Sequence, residues 1–181
     1  FSLSNLILQT GYNSLGTVIV NANVAAFNVD GYIYNILNSF YHTTLTFCSQ
    51  NFGAKRFDRV KKVFFVSTST VFVIGFVLGI SAYLFAEPLV GIFNSDPEVL
   101  GYAKYRLLII GLPYFLCGFM DIGSGFLRSI GYSFRALIIT FFGSCVFRIV
   151  WVFTVFEKFH DVRILYLAFP ISWFITATIL F

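Results

Sequence analysis

Charge is scarce in this chain. Only 11% of its 181 residues are Asp, Glu, Lys or Arg, against about 25% in an ordinary soluble domain. Histidine is limited to His42 and His160. No HExxH pair, phosphate-binding glycine loop or glycine fingerprint between strand and helix is present, so the sequence offers no catalytic framework and reads as not an enzyme. Cysteine is limited to Cys48, Cys117 and Cys145. Each lies in a different apolar run without CxxC spacing, and they read as small packing residues, with no metal site implied. A charged leader ahead of a short apolar stretch is also missing. The chain opens on Phe1 and closes within an apolar run, so both ends read as cuts in a longer protein.

Apolar surface is what the chain has in excess. It is 58% hydrophobic and 20% aromatic, with 25 Phe, more than a soluble monomer can keep from water. Lipid must therefore be the solvent for much of it. The net charge of +4 does not point to nucleic acid, because the basic residues stand at the ends of apolar runs instead of forming a binding stripe.

A helix crossing the hydrocarbon core needs about 20 apolar residues. Residues 63–86, 107–127, 136–156 and 164–181 fit, the second enclosing Asp121 and the third Arg148. Residues 23–49 form a weaker span with Asp30, His42 and four Asn. Residues 1–20, uncharged but rich in Ser, Asn, Gln and Gly, read as a truncated sixth helix, with Asn21-Ala22-Asn23 as the connection. The expected fold is all-α: one polytopic membrane lobe of about six transmembrane helices, the first and last truncated.

Five of the twelve basic residues (Lys55, Arg56, Arg59, Lys61, Lys62) crowd into residues 53–62. Short basic loops are retained in the cytoplasm, which places loops 50–62 and 128–135 there in a multi-pass cell-membrane protein. Lys104, Arg106, Lys158 and Arg163 fall on the opposite side with most of the acids. There Ser95 or Asp96 can cap a helix with Pro97 in its first turn, running on into the next span.

Ionisable groups inside a bilayer are expensive and need a reason. Asp121 lies seven residues before Arg128, about 10 Å deep at 1.5 Å per residue. It is the candidate cation-coupling residue, with a structural acid bonded to Ser124 or reaching toward Arg128 as the alternative. Arg148 is read as a structural charge that packs, pairs or snorkels. Asn28, Asn35 and His42 repeat every seven residues with Asn38 beside them, making one helix face that either lines a water-filled cavity or bonds to neighbouring helices. Asp30 is expected near the outer end. Gly123-Ser124-Gly125 reads as a close-packing surface.

Two segments carry a family resemblance. Ser49-Gln50-Asn51-Phe52-Gly53-Ala54-Lys55-Arg56-Phe57-Asp58-Arg59 resembles the Q-N-x-G-A-x-x-x-x-R loop of multidrug and toxic compound extrusion (MATE) transporters. Gly125-Phe126-Leu127-Arg128-Ser129-Ile130-Gly131-Tyr132-Ser133 is similar to their G-x-L-R-G-x-G-x-S loop, with Ser129 where Gly is common. Phe147-Arg148-Ile149-Val150-Trp151 and Pro170-Ile171-Ser172-Trp173 resemble later helices of the second half. The resemblance implies the carboxy-terminal lobe of a two-lobe, twelve-helix exporter. Such a protein moves organic cations or other amphipathic small molecules in exchange for Na⁺ or H⁺. It would use no further cofactor, have the lipid bilayer and the missing amino-terminal lobe as its partners, and bind no nucleic acid. In that family an acid on the tenth helix can take part in cation binding, and Asp121 lies on the corresponding helix. A lipid-precursor flippase of the same superfamily, or a non-transporting membrane assembly module, stays open beside it.

Overall fold

The computed structural model describes residues 2–181, with side chains from Ser4 onward; Phe1, where the first expected span begins, lies outside them. Its helices are α1 (Ser2–Ser14), α2 (Thr17–Gly53), α3 (Phe57–Leu84), α4 (Ala86–Gly91), α5 (Pro97–Gly111), α6 (Tyr114–Ser129), α7 (Ser133–Phe159) and α8 (Val162–Leu180). Helices α3, α7 and α8 are each long and apolar enough to cross a membrane, and α5 with α6 makes a fourth, bent span. The bend is 41° at Leu112-Pro113, where proline lacks the N–H that a continuous helix needs.

The first connection is not at Asn21-Ala22-Asn23. Those residues lie inside α2, with Ala22 and Asn23 buried, and the break falls at Gly16, whose φ of 106° suits glycine. With 37 residues, α2 is about 55 Å long, well beyond the 30 Å or so of hydrocarbon. The helix at Pro97 starts as expected: Asp96 Oδ1 accepts from the Glu98 N–H at 2.9 Å.

Helix α6 is central, packed against α2, α3, α7 and α8, because its small residues admit close neighbours. A Cβ at Gly118 would strike Val71, one at Gly123 would meet Leu180 at 3.0 Å, and one at Gly125 would meet Tyr41 at 3.0 Å. This is the packing role expected of Gly123 and Gly125. On α3, Gly75 would meet Phe115 at 3.0 Å and Gly79 would strike the Gly111 carbonyl, so the α5–α6 bend is clamped against α3. The outer face of α3 presents Phe65, Val66, Phe72, Val73 and Val77, a lipid-facing surface.

Val71 against Gly118, Gly75 against Phe115 and Gly79 against Gly111 make α3 and α6 antiparallel. The Phe64 and Phe126 rings meet, tilted, at 4.6 Å near their shared end, so both basic loops lie at one end of the lobe. Each loop closes its helix with the same backbone motif. The Lys55 N–H bonds Phe52 O at 2.9 Å and the Arg56 N–H bonds Asn51 O at 2.8 Å, while the Gly131 N–H bonds Arg128 O at 3.2 Å and the Tyr132 N–H bonds Leu127 O at 2.9 Å. The residue at the turn is left-handed in both, with φ 93° at Gly131 and 56° at Lys55, and this conformation favours glycine. Gly131→Ala should lower stability by about 1 kcal/mol and Lys55→Gly raise it by a similar amount, both read as melting shifts of the full-length protein in detergent.

Candidate functional site

On α2 the residues Asn23, Phe27, Asp30, Tyr34, Asn38 and Tyr41 recur at steps of three and four, which puts them on one face. On α5 and α6, Arg106, Ile110, Tyr114, Cys117 and Asp121 do the same, carried round the bend. Arg148 comes from α7, and Phe169 and Trp173 from α8. These faces enclose a cavity of about 270 Å³, reaching from Asp30 and Arg106 to Asp121 and Arg148. A second cavity of about 490 Å³ lies between α1 and α2. It shares Asn5, Phe27, Arg106 and Phe169 with the first, and adds Gln9, Tyr12 and Asn23. A third, of about 170 Å³, runs from Asp121 toward Arg128 past Asn38, Tyr41 and Ser124.

Asp30, expected near the outer end, and Arg106 meet inside the lobe. Both are buried and form an ion pair, an Arg106 Nη to Asp30 Oδ2. Burying two charges is tolerable only when each answers the other. The pair is incompletely satisfied, because Asp30 Oδ1 and Arg106 Nε find no hydrogen-bond partner among the described residues. The neighbouring Tyr12 hydroxyl and Asn23 Oδ1 are likewise buried without one. A polar strip therefore continues from the ion pair along the 490 Å³ cavity.

Asp121 borders both the 270 Å³ and the 170 Å³ cavities. Its Oδ2 is buried and accepts no hydrogen bond among the described residues, neither from Ser124 nor from Arg128. Arg148 is 5% exposed. Its Nε–H donates to Ser172 Oγ at 3.0 Å, and its guanidinium carbon lies 4.3 Å from the Phe169 ring centre and 5.8 Å from that of Trp173. Asp121 and Arg148 thus look into one cavity without pairing.

Of the stripe singled out in the sequence, Asn38 borders the Asp121 cavity and donates to the Tyr34 hydroxyl at 3.2 Å. Asn28, Asn35 and His42 are exposed and line none of these three cavities. They stand roughly a quarter-turn round α2 from the cavity face. Sequence reasoning missed the cavity positions of Arg106, Tyr114 and Trp173. The usable signal was Asp30 itself, an acid within a span, which demands a partner. Among the described residues no group of three or more His, Cys, Asp or Glu could hold a metal ion.

Residues 1–154 match the MatE family. The chain belongs to that family. Among MatE relatives, the probable multidrug resistance protein YoeA of Bacillus subtilis is 31% identical over 142 residues, 78% of this chain and 30% of its own length. The probable multidrug resistance protein NorM of Thermotoga maritima is 35% identical over 83 residues, 46% of this chain and 18% of that protein. The chain thus spans less than a third of either relative. An outward-facing MATE transporter of the MOP superfamily shares the fold with a TM-score of 0.87 at 16% identity, over 98% of this chain and 40% of that one. The cavities therefore belong to a helical lobe of a multi-pass MatE membrane protein.

Proposed function

We propose that this chain is the carboxy-terminal lobe of a secondary exporter that moves amphipathic compounds, organic cations among them, out of the cell in exchange for Na⁺ or H⁺. Asp121 carries this reading. A buried carboxylate oxygen without a protein partner, bordering two cavities, is an available ligand for a cation or a proton. Its place on α6, a few turns from the α5–α6 bend, ties ion occupancy to the helix that contacts most of the lobe. Loops 50–62 and 128–135 would face the cytoplasm, and the exposed polar stripe of Asn28, Asn35 and His42 would face the other lobe or water, since lipid is unfavourable for it.

The flippase alternative calls for a large cationic cavity. Here two arginines stand beside two aspartates, which favours the exporter. Cells expressing the full-length protein should accumulate less of a lipophilic fluorescent cation when a Na⁺ or H⁺ gradient is imposed, and collapsing that gradient should abolish the difference. Accumulation indifferent to both gradients would overturn the coupling, and accumulation equal to that of cells lacking the protein would overturn the exporter.

A further inference from the structure

Arg148 faces its cavity with no acid against it. The other arginine there, Arg106, directs one Nη to Asp30, whereas the two Nη nitrogens of Arg148 have neither a hydrogen bond nor an ion pair among the described residues. Its protein contacts are one neutral hydroxyl and two aromatic faces. An unanswered guanidinium this deep in a membrane lobe costs several kcal/mol, which a ligand anion would offset. Planar, forked donors suit a carboxylate in two-point contact. The surroundings limit the charge as well as the shape. Asp30 and Asp121 border the same space, so a dianion would meet two carboxylates, while a monoanion answers the single free guanidinium.

We propose that Arg148 is an anion-binding point of this lobe, receiving the carboxylate of an amphipathic ligand whose aromatic part rests on Phe169 and Trp173. The two rings lie 5.9 Å apart at an interplanar angle of 66°, and Tyr114 meets Trp173 at 5.0 Å, which gives an angled aromatic wall beside the charge. The 270 Å³ cavity would hold the acid and its ring; the adjoining 490 Å³ cavity, which shares Phe27 and Phe169 with it, would hold the rest. This site deepens the exporter reading and rests on it. A basic group on the same ligand would face Asp121, where it would compete with the coupling ion, and the acid would not.

The test uses the purified full-length transporter and two probes in equilibrium dialysis: naphthalene-1-carboxylate and its uncharged carboxamide. The carboxylate should bind about tenfold tighter than the amide, as expected for a charge-assisted pair. Arg148→Gln should erase that preference, and Arg148→Lys should keep part of it. Equal binding of carboxylate and amide by the wild type, or a preference that survives Arg148→Gln, would each overturn the proposal. The wild-type comparison decides the matter even if Arg148→Gln does not fold. Gradient-driven efflux without carboxylate preference sinks the anion site alone; carboxylate preference without gradient-driven efflux sinks the exporter reading alone.

Discussion

Replacing Arg106 with Met in the full-length protein should lower its stability by about 3–5 kcal/mol, the usual cost of leaving a buried charge unanswered. Asp30 and Arg106 each have side chains only 3% exposed, so little water solvates either charge. Asp30→Asn should cost a comparable amount, because among the described residues Arg106 has no other acid within ion-pair distance. The double variant Asp30→Asn/Arg106→Met should recover at least half of the loss, since no naked charge remains. Melting of detergent-solubilised protein, followed for both single variants and the double variant, checks this. A double variant as unstable as the sum of the singles would show that the two charges are not energetically coupled.

Asp121→Asn should reduce ion-coupled efflux to the background of cells lacking the protein while leaving expression and melting close to wild type. The substitution keeps the size of the side chain and removes its charge, and Asp121 makes no ion pair that the change would break. A structural carboxylate would show the opposite pattern, with lower stability and retained transport. The two readouts therefore separate coupling from packing. Transport at wild-type rate and gradient dependence in Asp121→Asn would end the assignment. The contrast with Arg106 is instructive: both positions are charged and both border the 270 Å³ cavity, yet one is expected to govern stability and the other the cycle, because only one is paired.

The membrane character, the all-helical fold and the family were legible in the residue string. Apolar runs bounded by charges, a proline after Asp96, and the two loop motifs each report on neighbours close in sequence. The break at Gly16 was less legible. Residues 21–23 have a polar composition that suggests a turn, but Asn23 is buried on the cavity side of α2, and only packing against other helices reveals that. The cavity face was missed for a related reason. A heptad of Asn28, Asn35 and His42 is conspicuous, whereas the working face mixes Phe27, Asp30, Tyr34 and Asn38, whose common feature is position, not polarity.

By itself the sequence determined the solvent of this protein, its helical class and its family, because hydropathy and loop chemistry act locally along the chain. Tertiary structure alone decided which charges answer one another. Asp30 and Arg106 meet across a separation of 76 residues, while Asp121 and Arg148 share a cavity without meeting. Pairing depends on helix rotation and depth. Those follow from the close approach of α3 and α6 at Gly75, Gly79 and Gly118, a contact between segments far apart in the chain. The same contacts clamp the bend at Pro113, and with it the face that carries Asp121.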